Sequence, residues 1–343
     1  MKLVVFGNNT LGAWTKTGQI IDLNVTYASY LHSKGEGRPY AHASALLPKN
    51  LQSFLEEGPS AVKAAADALE YVHEEKDVSG PRGEKIVHDP GEIRLKAPLP
   101  SLGSKIACAG ANFYDHASSA YTMMRGTKVT IDDIKKDVEQ GKYPPWGFWK
   151  FPHNVSGPEA KIPYPSRSQR LDYEVEVAAI FGKKGRDISE KDAMDHIIGY
   201  TILNDYSLRD RQEQGQQGSF MFGKNFDGSV GLGPCIVLKD EIPDPHVLSL
   251  ELSVNKQLRQ KGTMKDMIRG FPFWISYLTR DLTFYPGDMI ASGTCAGTAM
   301  DTTPRDQEGR TSPERFLKAG DTVEATVERI GSLRNYIVSK PHS

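Results

Sequence analysis

The 343-residue chain has only three cysteines, Cys108, Cys235 and Cys295. None stands in a C-x-x-C pair, which excludes a zinc ribbon and a disulfide framework and points to a reducing setting. No run of about 18 apolar residues occurs, so no membrane-spanning helix is expected. The opening MKLVVFGNNTLGAW lacks the long apolar stretch of a secretory leader, and the expected location is cytoplasmic. An excess of one charge is also missing. Lys and Arg total 42 against 43 Asp and Glu, which argues against a nucleic acid or an anionic membrane as partner. Neither G-x-G-x-x-G nor a Walker loop is present, so nucleotide binding lacks its usual cradle. There is no internal repeat and no low-complexity tract.

What is present is an ordinary globular composition, 38% apolar and 25% charged, long enough for two domains or one with an appendage. Residues 1–30 read as short strands, KLVVF and GQIIDLN. Residues 49–76 carry two helical patterns broken at Gly58-Pro59, with Ser60 as the expected cap of the second. A stretch rich in Pro, Gly and charge follows. This places a small N-terminal α/β domain over residues 1–95 and a catalytic domain over 96–343. Within the latter, 117–143 is helical and charged, with apolar residues at i, i+3 and i+7 in IDDIKKDVEQGKY, and reads as a lid or arm. Short apolar segments then recur: EVEVAAIFG, IIGYTILND, GPCIVL, LSLELSVN, DMIASG and TVEATVERIG. One helix, MIRGFPFWISYLTRDL, interrupts them. The expected fold class is α+β, mostly β: a mixed β-roll or sandwich rather than a doubly wound sheet.

Glu174 and Glu176, in DYEVEVAAIFG, lie two apart on a strand and share a face, while Val175 and Val177 point to an apolar layer. Side-by-side carboxylates in a segment that reads as buried need a cation. Asp205 ends GYTILND, and Arg209 and Gln212 follow; a helical turn beginning near Asp205 would put these three on one face. Three carboxylates make an all-oxygen set suited to Mg²⁺, Mn²⁺ or Ca²⁺, whereas zinc more usually brings His or Cys. Taken singly, each feature has a plainer reading. Alternating Glu is common on solvated strands. Lys224 between glycines reads as a loop charge, Arg209 with Asp210 as a surface pair, Thr294 as a turn residue, and His116 as a loop imidazole bonded to backbone. Trp146, Phe148 and Trp149 read as core, and Cys235 and Cys295 as inert.

Together, LDYEVEVAAIFGK, GYTILNDYSLRDRQ, GKNFDGSVGLGPCIV and PGDMIASGTCAG, with NFYDH upstream and GSLRN downstream, resemble the fumarylacetoacetate hydrolase family over roughly residues 105–338. The first 95 residues resemble the small N-terminal domain of many members. The resemblance implies a divalent metal at Glu174, Glu176 and Asp205. It implies substrate contacts at Tyr114, Arg209, Gln212, Gly293 and Thr294, and His116 and Lys224 as catalytic groups. It also implies a homodimer. The expected reaction is hydrolysis of a C–C bond in a 2,4-dioxo acid (an acylpyruvate), with the enolate charge offset by the cation. The alternatives are decarboxylase, isomerase or dehydratase chemistry on a 2-oxo acid, or a silent member that binds such an acid. One departure bears on this choice. Many smaller members have a Glu three residues after the His, and here Ser119 stands there. A Glu or Asp from elsewhere would have to replace it; Asp132, Asp133, Glu139 and Glu314 are the candidates, and the sequence does not choose among them.

Overall fold

Runs that are apolar at every position form strands covered on both faces, and alternating runs form strands with one wet face. Both kinds are present in the computed structural model of the protein, which describes residues 1–75, 77–210, 219–303 and 312–340. Strands β1 (Lys2–Phe6), β2 (Thr10–Trp14) and β3 (Ile20–Asp22) form an antiparallel meander. Helices α1 (Leu23–Ser33), α2 (Pro39–Leu46), α3 (Leu51–Glu57) and α4 (Pro59–Glu74) follow, then β4 (Val87–His88) and β5 (Leu95–Lys96). Next come β6 (Ile106–Ala109), the arm helices α5 (Tyr114–Arg125) and α6 (Ile131–Glu139), β7 (Gly147–Lys150), β8 (Val155–Ser156) and β9 (Ala160–Pro163). After β10 (Leu171–Asp172), β11 (Val175–Phe181), β12 (Ile197–Asp205) and β13 (Ser207–Leu208) lies the short helix Ser219–Lys224. The chain continues through β14 (Val230–Leu238), β15 (Ser249–Val254), β16 (Gln257–Thr263), the helix Phe271–Leu278, β17 (Met289–Ala291), a helical turn Ala299–Thr302, β18 (Thr322–Val327) and β19 (Gly331–Val338).

The main sheet runs β4-β3-β2-β1-β14-β12-β11-β17-β6-β7, and a second sheet runs β16-β15-β18-β19-β9. β1 pairs with β14 as well as β2, at Lys2↔Val237 and Leu3↔Ile236, so strands from the first 95 residues extend the main sheet. The odd positions of β11, Val175, Val177, Ala179 and Phe181, pack in one core with Leu250, Leu252, Val323 and Ala325 of the second sheet. Its even positions Ala178 and Ile180 pack in another core with α1, α3 and α4. Glu174 and Glu176 therefore stand on the helix-covered side of the main sheet. Among the described residues no helix is long and apolar enough to cross a membrane.

Three expectations are corrected. The segment after Ile20–Asp22 is helical, because Asp22 accepts from Val25 N–H at 3.1 Å and caps α1. Ser60 is not the cap of α4: Gly58 is, with Pro59 at the first helical position, where a missing N–H costs nothing. No helical turn starts at Asp205, which closes β12; the chain returns through β13 instead. The core should be separable from the site. Ile202 is wholly buried opposite Val177, and Ile202→Val should cost about 0.5–1.5 kcal/mol in urea unfolding with divalent-cation affinity unchanged.

Candidate metal centre and the histidine facing it

Glu174, Glu176 and Asp205 are all buried, and one oxygen of each lies within 4.8 Å of the others. The convergence follows from register: β11 and β12 are antiparallel neighbours with Val175 opposite Asn204, which places Asp205 beside Glu174 at the same end of the sheet. Asp205 N–H donates to the Glu174 carbonyl at 2.9 Å, and Asn204 Oδ1 accepts from Glu174 N–H at 3.0 Å.

Three buried cations surround the cluster. Lys224 Nζ donates to Glu174 Oε2 at 2.5 Å, Asp205 Oδ2 at 2.7 Å and Ser207 Oγ at 2.7 Å. Lys150 Nζ contacts Asp205 Oδ1 and donates to the carbonyls of Tyr206 at 3.0 Å and Ser229 at 2.8 Å. Arg209 donates Nε to Asp172 at 2.8 Å and Nη2 to Glu174. Asp172 is itself wholly buried and also accepts from Ala299 and Met300 N–H at 2.7 and 3.1 Å. Lys150, Lys224 and Arg209 thus face four carboxylates, Asp172, Glu174, Glu176 and Asp205, and one negative charge is in excess.

The excess falls on Glu176. Burial, then the charges of Asp205 and Glu174, push its carboxyl well above the usual range. Burial also opposes the Glu174 carboxylate, but Arg209, Lys224 and His116 overcome it and hold its pKa well below the usual range. Asp205 is raised by burial against the pull of Lys150 and Lys224. Burial lowers Lys150, while Asp205 and Glu174 outweigh burial at Lys224 and raise it. Three convergent hard oxygens, on carboxyls whose charges burial and mutual repulsion work against, fit a divalent cation, which would offset that repulsion. Gly293 N–H orients Glu176 by donating to Oε2 at 3.0 Å. That residue must be glycine: its φ is +78°, and an added Cβ would lie 2.9 Å from the Ala109 carbonyl.

His116 sits in the first turn of α5, 6% exposed. Its Nδ1 bonds Asp301 Oδ2 at 2.9 Å, and its Nε2 faces the cluster, 3.9 Å from Glu174 Oε1. Burial works against its protonated form, but the Asp301 charge and hydrogen bond, helped by Glu174, raise its pKa. Asp301 is fixed by Gly297 N–H at 3.1 Å and by a capping box with Thr298. The four acids expected to partner His116 do not: Asp132, Asp133, Glu139 and Glu314 are all exposed.

Most of the expected site residues converge. His116, Glu174, Glu176, Asp205, Arg209, Lys224, Gly293 and Thr294 form one buried cluster. Tyr114 is half-buried and packs into the arm's own core, with Lys135 Nζ 5.8 Å from its ring. Gln212 lies outside the described residues. The plain readings of Arg209 and Lys224 fail, since both are buried. Asp210 instead accepts from Ser168 Oγ at 2.6 Å. Sequence reasoning missed Lys150, Asp172 and Asp301. All three cysteines are buried, Cys235 and Cys295 in keeping with their reading as inert, and burial raises each thiol, that of Cys235 to about 12.

The model of the fumarylacetoacetate (FAA) hydrolase C-terminal family matches residues 105–338. Among curated proteins, the oxaloacetate tautomerase YisK of Bacillus subtilis (strain 168) is 34% identical over 292 residues, covering 85% of this chain and 87% of its own. The mitochondrial oxaloacetate tautomerase FAHD2A of Homo sapiens is 32% identical over 292 residues, covering 85% and 81%. Among solved structures, the fumarylacetoacetate hydrolase of Exiguobacterium antarcticum superposes with a TM-score of 0.67 at 26% identity, over 99% of this chain and 100% of that one. With a family match that spans the whole acidic centre and the histidine facing it, the chain belongs to the fumarylacetoacetate hydrolase family.

Proposed function

We propose that the chain catalyses keto–enol proton transfer on a small 2-oxo acid of the oxaloacetate type, with a divalent cation, Mg²⁺ or Mn²⁺ before Ca²⁺, held by Glu174, Glu176 and Asp205. The observation that carries the reading is the His116–Asp301 pair, whose free ring nitrogen faces the carboxylate cluster from 3.9 Å. When bound, the cation supplies Lewis-acid polarisation of the 2-oxo group and so acidifies the adjacent C–H. The rest falls to the chain. His116 Nε2 takes the proton from C3 and returns one to the oxygen on C2, so that the C2–O π bond is exchanged for a C2–C3 π bond, the proton count is unchanged and no C–C bond is broken. Asp301 fixes the tautomer and steadies the imidazolium. Lys224 adds positive charge beside the oxygen that gains electron density. Arg209 anchors Glu174 to Asp172.

Tautomerisation needs one proton carrier. C–C hydrolysis needs in addition an activated water, and Ser119 stands where many smaller members place the second acid. The tautomerase names of the two curated relatives support the same ordering. Hydrolysis of a 2,4-dioxo acid is the second reading, favoured by the likeness to the Exiguobacterium antarcticum hydrolase. The test is oxaloacetate with Mg²⁺, following the enol band together with pyruvate and CO₂. The expected result is faster keto–enol equilibration with neither product accumulating. Cleavage of an acylpyruvate with no effect on the oxaloacetate enol would overturn the tautomerase reading.

A further inference from the structure

β12 runs along the whole of β11, but on the other side β17 pairs only with Ala178, Ala179 and Ile180. Before Ala178 the neighbouring strand has turned away into SGTCAG, and side chains complete the ladder. Val177 N–H donates to Ser292 Oγ at 3.1 Å, and Ser292 N–H to the Val177 carbonyl at 2.9 Å. One turn earlier in the pleat, Val175 N–H donates to Gln260 Oε1 at 3.0 Å, and Thr294 Oγ1 donates to the Val175 carbonyl at 2.8 Å. Gln260 Nε2 closes the set by donating to Thr294 Oγ1 at 2.9 Å and to the Cys295 carbonyl at 2.8 Å. The amide orientation is dictated by its partners, because an N–H needs the oxygen and a carbonyl needs the nitrogen.

Gln260 reaches this position from the edge of the other sheet. It is the one buried residue of β16, with no exposed surface. A register shift produces this: Leu252 pairs with Gln260 and Ser253 with Leu258, so Arg259 is the extra residue of a bulge. Bulges re-aim the side chain beside them. Two residues on, Gly262 lets β16 touch the loop, since an added Cβ would lie 2.5 Å from Cys295 Cβ.

We propose that Gln260 is a positioning residue of the cation centre. It holds the peptide of Val175, the residue between Glu174 and Glu176, and thereby sets the direction in which both carboxylates point. The proposal rests on the reading of Glu174, Glu176 and Asp205 as cation ligands. Groups that orient metal ligands without touching the metal change affinity by about 10–100-fold when removed.

The test is Mn²⁺ titration of the full chain by calorimetry and electron paramagnetic resonance, wild type against Gln260→Met, with Leu258→Ser on the exposed side of the same strand as control. Gln260→Met should weaken Mn²⁺ binding by about 10–100-fold and speed hydrogen exchange at the Val175 amide, while Leu258→Ser changes neither. Thr294→Val keeps the side-chain shape and removes the hydroxyl that links Gln260 to the Val175 carbonyl. It should weaken Mn²⁺ binding in the same range, and it stands in for Gln260→Met should that chain not fold. The double variant should bind no more weakly than the weaker single one, because both changes cut one chain of hydrogen bonds. A lowered melting temperature with unchanged Mn²⁺ affinity in either folded single variant overturns the proposal, as does additivity in the double variant. Failure of the wild type to bind Mn²⁺ defeats the ligand reading itself and is distinguished by that first titration.

Discussion

Glu176→Gln should fold at least as well as the wild type and lose divalent-cation binding, whereas Asp205→Asn should lose both. The contrast follows from the charges around each carboxyl. Glu176 accepts from the Gly293 amide, a bond that Gln keeps through its carbonyl oxygen. Burial and two like charges already favour its neutral form, so replacing it with a neutral amide removes repulsion rather than an ion pair. Without added cation, its melting temperature should match or exceed that of the wild type. Its affinity for Mn²⁺ should fall by at least about 100-fold, since losing a ligand costs no less than losing a group that merely orients one. Asp205 is different. It faces Lys150 and Lys224, both buried. Removing its charge leaves two ammonium groups without it in a dry site, which costs about 3–5 kcal/mol when one partner of a buried pair is lost. Thermal melts in chelator, followed by Mn²⁺ titration, separate the two outcomes. Undiminished Mn²⁺ affinity in Glu176→Gln would remove this carboxylate from the ligand set.

His116→Ala should lower kcat for oxaloacetate tautomerisation by about 10²–10⁴-fold, the range expected for a lost general base. KM and Mn²⁺ affinity should change far less, because His116 faces the carboxylates rather than completing their set. Asp301→Asn should cost less than His116→Ala: the amide keeps an oxygen for the capping box but no longer offers a charge to Nδ1. Joining the two changes should add nothing to the histidine change alone, since Asp301 acts through the imidazole. A double variant much slower than His116→Ala would give Asp301 a separate part in the reaction.

The sequence revealed the site better than it revealed the connections that build it. β11, β12 and β14 announce themselves as long apolar runs, and the polar residues ending those runs are the ones that converge. α1 is hard to read because polar residues share its inner face: Asn24, Thr26 and Ser29 are buried alongside Leu23, Tyr27 and Ala28, which blurs the apolar stripe. Asp22 at its start was the available signal. Lys150 lies among aromatics in GFWKFP, where nothing local says that its ammonium is buried against Asp205. Asp301 is 185 residues from His116, and only the return of the Ala299–Thr302 turn beneath α5 joins them. Of the acids expected instead, Asp132, Asp133 and Glu139 cap or decorate the arm, and Glu314 stands exposed in the turn Pro313–Arg315. Partner choice for a buried group is a tertiary fact, and residue spacing carries little of it.

The pairing of β1 with β14 has a consequence for any attempt to divide or recombine this chain. A polypeptide begun at residue 96 would present the Ile236–Val237 side of β14 as a bare row of donors and acceptors, an open invitation to stack with a second molecule. Chimaeras that exchange the leading segment between relatives will stay monodisperse only where the incoming first strand can zip against that rim.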